Sequence, residues 1–349
     1  MKRGSALLLL GLVTACGPQA SSPASKSPSA SPTETATPNE SPTGTTPAAL
    51  GFTCTLPVVL DNDAGWLSFP SGSYQSDPRS NVHLPVPGIG PVSKSYDKAF
   101  ERWLPVPRDL ISPDGRHYAY FDPAYPGQYP QGSVHPSTVH VVDLASGADH
   151  SFNPGPTGTA RTWWVLDYEN EGVYLAILPD GPAAPAGLWL LDPSTGAVRM
   201  ISDTFQPQYV SGGGAWGTSD PLTGHGPGPG SRLLRMDLKV GAIVSWYKRD
   251  DVEFIVSGAD AVGHPVLQAA KAGSREIIRV TAQDTGATLP VAAGSSAPSL
   301  SNYIHPVSDS HGMWFGDTQG NVSLYTAATG ITKLAQVGSG DVAIGGGCH

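Results

Sequence analysis

Five glycines at near-equal spacing constrain this chain more than any other feature. Gly147, Gly196, Gly241, Gly286 and Gly330 follow one another at intervals of 49, 45, 45 and 44 residues. Each is read as closing a short turn after a β-rich run, at residues 139–143, 188–192, 233–237, 277–281 and 322–326. Three of those runs end on an aspartate, Asp143, Asp192 and Asp237. A carboxylate at that position accepts hydrogen bonds from the turn's own amides, and glycine supplies the positive φ that closes a short hairpin. A second series, Gly115, Gly172, Gly214, Gly263 and Gly312, precedes a second short apolar run in each unit, and Gly65 reads as its sixth member. Tyr118, Tyr174, Trp216 and Trp314 set an aromatic near the start of four of these runs. Two recurring turns imply four short strands per unit, and a repeat of about 40–50 residues with four strands is the pattern of a propeller blade.

The repeats fill residues 51–349, which divide into six blades, with seven as the alternative. The expected fold is therefore all-β, a β-propeller. Blade one is expected over residues 52–109, with a second turn near residues 96–101 that lacks its glycine. The short run at residues 341–344 is expected to pack against it. No long amphipathic helical pattern interrupts the short strands, and 42 Gly and 34 Pro supply the turns that so many strands need.

What precedes the repeats has another character. Lys2 and Arg3 lead an apolar run, residues 6–13, which is too short to span a bilayer but suits a secretory signal. The run ends Val13, Thr14, Ala15, Cys16, which resembles the lipobox of bacterial lipoproteins. That resemblance implies cleavage before Cys16 and acylation of its sulfur, and so a protein held on the cell membrane at its extracytoplasmic side. Residues 1–15 are then the signal peptide, and residues 16–50 the lipidated cysteine and a linker. The linker is Ser, Thr, Pro and Ala with hardly any large apolar side chain, and it cannot bury enough surface to offset its ordering entropy. It is expected to be a disordered tether of at most about 100 Å. With Cys16 given to the lipid, Cys54 and Cys348 remain at the two ends of the repeat region. In an oxidising compartment they are expected to form a disulfide that ties the first blade to the last.

Ser112, Pro113, Asp114 and Gly115, followed by Tyr118 and Tyr120, resemble the Ser-Pro-Asp-Gly repeat of TolB-like propellers and of the propellers of prolyl oligopeptidases. Only one blade carries the tetrad intact. The resemblance implies architecture and transfers no binding residues, and the separate catalytic domain of a peptidase is absent from the pattern.

Charge narrows the function. Once Lys2 and Arg3 leave with the signal, the 20 basic residues fall to 18 against 29 acidic ones, a net charge of −11. A chain that lacks a basic face does not track a phosphate backbone, so nucleic acid is not an expected partner. The loops at residues 81–94, 122–137, 179–186 and 219–231 are long and irregular, and in a propeller they emerge on one face. Binding residues concentrate on such loops, so a protein or carbohydrate partner is expected there. Tyr125, Tyr129 and His135 sit on one of them, and Arg108, Arg161, Trp163, Arg249, Tyr303 and His305 on the connections between blades. Convergence of the latter near the axis would favour an anionic or carbohydrate ligand. Asp61 and Asp63, with Asn62 between them, fall short of a calcium loop, because position twelve is Gly72 rather than a bidentate Glu. No metal site and no cofactor is expected, and no Gly-x-Ser-x-Gly elbow or His-Glu-x-x-His helix occurs. The leading expectation is a noncatalytic binding module. The alternative is a propeller enzyme, a small-molecule lyase or hydrolase, that uses an axial pocket with His305 and Asp167 as its candidate catalytic residues.

Overall fold

The computed structural model describes residues 51–61, 63–84, 94–122, 138–154, 162–178, 186–218, 231–271, 273–301 and 304–349. Their strands form six blades in a ring, a β-propeller. Blades three to six each read as a four-stranded antiparallel meander whose strands A to D run outward from the axis. Blade three is Thr162–Glu169, Gly172–Leu178, Ala186–Leu191 and Val198–Ser202, and blade four is Tyr209–Ser211, Gly214–Thr218, Arg232–Asp237 and Ile243–Lys248. Blade five is Glu253–Ala259, Pro265–Lys271, Ser274–Ala282 and Thr285–Thr288. Blade six is Val307–Asp309, Gly312–Gly316, Asn321–Thr326 and Gly330–Gln336. In blade two, His117–Asp122, Thr138–Asp143 and Asp149–Phe152 form the sheet, and a bridge between Ile111 and Tyr118 stands in for strand A.

Burial falls from the axis outward. In strand B of blade six Met313, Trp314 and Phe315 are consecutive and all buried, because an inner strand is covered on both faces by neighbouring blades. Outermost strands such as Ile243–Lys248 and Asp149–Phe152 are largely exposed. The C–D turns follow the expected chemistry. The amides of Gly147, Gly196 and Gly241 donate to the carbonyls of Asp143, Asp192 and Asp237, with the glycines at φ +73, +72 and +71. The aspartate side chains accept from Ser146, Ser194 and Lys239 amides in the same turns. Gly286 departs from the series. Asp284 takes the positive φ there, and Gly286 lies within a strand, where an added Cβ would stand 2.6 Å from the Tyr247 ring.

Blade one also differs from the expected plan. Its innermost strand is the C-terminal Val342–Ile344, which pairs with Cys54–Leu60 through Val58 and Ile344. Asp63–Phe69 and Ser73–Ser76 complete the blade, so Gly65 lies in the middle of a strand rather than at a turn. The second turn is at Gly72, not near residue 98. The expected blade failed because the chain enters at strand B, which shifts every later strand by one place. Ser95–Asp97 and Arg102–Leu104 form a separate hairpin between blades one and two. Cys54 and Cys348 form a disulfide with their Cα atoms 5.7 Å apart across 294 residues of sequence. It stands where the A–B turn of blade one would be, and His349 and Thr55 exchange both backbone hydrogen bonds beside it. Asp63 receives the hydroxyls of Tyr74 and Ser76 from the adjacent strand, so its carboxylate ties two strands of blade one together.

Candidate functional site

Innermost strands of a propeller are ordinarily apolar, because neighbouring blades cover both faces. Several here carry polar side chains: Asp167 and Glu169 in blade three, Tyr209 and Ser211 in blade four. Asp109, just before the strand A position of blade two, and His305, just before strand A of blade six, occupy equivalent inner places. Together with Arg108, Ser112 and the inner residues of blades one and five they line a cavity of about 630 Å³. Since all six blades contribute, the cavity lies on the axis. It is walled by the innermost strands and the tight turns that follow them.

Asp109 is its centre. Tyr209 Oη donates to Asp109 Oδ1 at 2.9 Å, and His305 Nδ1 bonds Oδ2 of the same carboxyl. The three residues come from three blades, and the His305 ring meets the Tyr209 ring edge-on with centroids 5.2 Å apart. Burial alone would raise the Asp109 pKa, but the charge and hydrogen bond of His305, the Tyr209 hydroxyl and Arg108 outweigh it and hold the carboxyl below its ordinary range. Asp167 is pushed the other way. It is 6% exposed, and burial, then the Asp109 charge, then Glu169 raise its pKa well above the carboxylate norm. Glu169 is raised as well, by burial first and then by Glu171 and Asp109. Burial and the Asp109 charge hold the Tyr209 hydroxyl well above a free phenol, so it stays a donor.

The raised Asp167 has a testable consequence. A carboxyl whose folded pKa exceeds its unfolded value binds more protons in the native state, so stability falls as pH climbs from the ordinary carboxylate range through the raised pKa. Asp167→Asn removes that penalty. Its Tm is expected to exceed that of the wild type at neutral pH, by about 2–4 °C for each kcal/mol recovered, and the difference should close near about pH 4. Paired thermal melts across that range check it, and equal melting at neutral pH would contradict the electrostatic account.

Residues singled out in the sequence divide sharply. Arg108, Asp167 and His305 meet at the axial cavity. Trp163 does not. It is 2% exposed in the core between blades two and three and meets Trp189 edge-on, because an indole in an inner strand gains most by filling the space between sheets. Arg249 is away from the axis too, held by Asp251 and Glu276 at 2.8 Å each beside Lys271. Its guanidinium is taken up by these two carboxylates. Of the connector arginines among the described residues, Arg108 lines the cavity and Arg249 does not. Among the described residues the cavity carries Asp97, Asp109, Asp167, Glu169 and Asp260 against Lys94, Arg108 and His305. Tyr125, Tyr129, His135, Arg161, Tyr303 and Cys16 lie outside the described residues, as do most of the long loops. Asp109 and Tyr209 escaped the sequence reading. The signal that would have found them is a polar residue in or beside an innermost strand.

Asp309, His311 and Cys348 bring ligand-type atoms within 4.8 Å of one another. The Cys348 sulfur is committed to the disulfide, and Asp309 Oδ2 accepts from the Trp314 indole and the Cys348 amide at 2.8 Å each. The group is therefore a structural tie between blade six and the C-terminal tail.

Fold and cavity together define a six-bladed β-propeller with a polar, carboxylate-rich axial site. No family model matches the chain, and no curated protein sequence matches it. Solved structures similar to it include TolB from Acinetobacter baumannii, 13% identical over 84% of this chain and 67% of that one, with a TM-score of 0.46. A prolyl endopeptidase structure is 13% identical over 85% of this chain and 51% of its own, at TM-score 0.47. AztD from Citrobacter koseri is 10% identical over 84% and 98%, at TM-score 0.43. The chain thus spans about half the length of the prolyl endopeptidase. At such identities and scores nothing about ligands or chemistry passes to this chain.

Proposed function

We propose that this chain is a lipid-anchored, extracytoplasmic propeller that binds a ligand or a partner's side chain in its axial cavity without transforming it. One observation carries the reading: polar side chains of three blades converge on a single cavity, with Asp109 fixed by Tyr209 and His305. A volume of about 630 Å³ falls in the range of small-molecule and side-chain sites. Partner classes remain those expected from the sequence, a protein or a glycan, with the cavity as the seat of recognition.

Two experiments test it. Thermal-shift and calorimetric screening of residues 51–349 against envelope-derived small molecules, glycans and peptides should yield a ligand that is recovered chemically unchanged. Ser308→Trp, which narrows the cavity without altering its charge, should weaken that binding at least about tenfold. Anchoring is tested separately. Cells expressing the full chain should incorporate labelled palmitate into it, and Cys16→Ser should abolish the label and release the protein from the membrane fraction. Membrane retention of the unlabelled Cys16→Ser variant after signal cleavage would refute the lipid anchor. Among the described residues no helix is long and apolar enough to cross a bilayer.

A second reading is favoured by the opposite pKa shifts of Asp109 and Asp167, since a split pair of carboxyls is how acid and base roles are divided. If the screen returns a chemically altered compound and Asp109→Asn stops the conversion, the protein is an axial-site enzyme.

A further inference from the structure

We propose that the axial cavity recognises an organic cation, a ligand carrying a primary ammonium group that docks against Asp167 and Glu169. The inference rests on the axial-site reading above and specifies its ligand. Its basis is an imbalance. His305 and the Tyr209 hydroxyl are both drawn to Asp109, so that carboxylate is already compensated. Asp167 is not. Its Oδ1 accepts only the neighbouring Tyr168 amide at 2.7 Å, and its other oxygen has no hydrogen-bond partner among the described residues, although the residue is 94% buried and lines the cavity. Glu169, in the same wall, has neither a hydrogen bond nor an ion pair among them. One oxygen of buried Asp167 and the carboxyl of half-buried Glu169 thus line the cavity with no donor among the described residues, and the upward shift of both groups follows from burial and from the carboxylates around them. A bound cation would compensate them. An ammonium with three N–H donors suits two acceptor-only carboxylates.

Size and geometry favour an organic cation over a bare metal ion. Calcium takes six to eight oxygens at about 2.3–2.6 Å. Among the described residues, the carboxylate and imidazole atoms of this cavity are not gathered into a three-ligand group within 4.8 Å, whereas Asp309, His311 and Cys348 elsewhere are. A cavity of about 630 Å³ also leaves room for the carbon chain that carries the ammonium group.

The test is calorimetric titration of residues 51–349 at low ionic strength with four probes: cadaverine, an end-blocked Gly-Lys-Gly tripeptide, calcium chloride and citrate. Saturable binding of cadaverine or the tripeptide is expected, at least about tenfold weaker in both Asp167→Asn and Glu169→Gln. The diamine and the peptide separate a free amine from a lysine side chain as the source. Asp167→Asn is expected to melt no lower than the wild type at neutral pH, so its loss of binding would not reflect unfolding. Binding of calcium or citrate alone, absence of binding by both amines, or amine binding indifferent to Asp167→Asn would each overturn the cation assignment. In the citrate case, loss of citrate binding in Ser308→Trp would leave the axial-site reading standing while the cation fails.

Discussion

Cys348→Ser is expected to lower the unfolding free energy by on the order of 5 kcal/mol and the Tm by about 10–20 °C. The effect is large because Cys54 and Cys348 enclose nearly the whole domain, 294 residues apart, and cross-linking restricts an unfolded chain more as the loop it closes grows. Closure does not rest on the sulfurs alone. Val342–Ile344 adds the innermost strand to the blade begun by Cys54–Leu60, and His349 bonds Thr55 in both directions. Gly316 of blade six meets this strand so closely that a Cβ would stand 2.1 Å from the Val342 carbonyl. The serine variant should therefore remain a folded propeller of native secondary structure that unfolds at lower denaturant. Urea titrations of the oxidised wild type, the reduced wild type and Cys348→Ser measure it. A shift below about 1 kcal/mol, or a variant that loses its β-sheet signal outright, would contradict the division of labour between disulfide and strand.

Asp77→Ala should cost about 3–5 kcal/mol, the largest expected loss from a single polar side chain here. Asp77 is buried at the junction of blade one and the inserted hairpin, and its carboxylate collects the indole N–H of Trp66 at 2.9 Å and of Trp103 at 3.1 Å. Alanine would leave both indole donors unpaired, Trp103 in the interior and Trp66 half-buried, with a cost of about 1–3 kcal/mol for the buried one. Arg79 completes the set through its backbone amide and guanidinium. The Arg79 hydrogen bonds, helped by the indoles and opposed by burial, hold the Asp77 pKa well below the usual carboxylate range. The sign follows: a depressed carboxyl stabilises the fold above its unfolded pKa and loses that contribution as pH falls toward its folded one. Asp77→Asn should consequently flatten the acid limb of the stability profile. Tryptophan emission should shift to the red in Asp77→Ala before global unfolding, and an unchanged melting point would remove Asp77 from its role as the tie.

Turn chemistry is local, and there the sequence proved legible. An aspartate and a glycine four residues on form the same hairpin at Asp143, Asp192 and Asp237, because the bonds involved never leave the turn. The spacing of those hairpins narrows the blade count to six or seven, and the structure has six. Gly286 and Gly65 show the limit. Both are present because a neighbour comes too close for a Cβ, Tyr247 in one case and the Gln75 carbonyl in the other, and such an approach leaves no mark in the adjacent residues. The hairpin of Ser95–Asp97 and Arg102–Leu104 likewise reads as a blade strand until its partner is known, since three-residue strands carry too little periodicity to name their sheet.

What the residues by themselves determined is therefore the repeating unit, a count of six or seven blades, and the two cysteines available to close the ring. What only the tertiary structure decided is the entry of the C-terminal strand into blade one and the meeting of Asp109, Asp167, Tyr209 and His305 at the axis. The reason is separation along the chain. Asp109 and His305 are 196 residues apart, and their contact depends on the accumulated rotation of four blades, a quantity that no local pattern of side chains encodes.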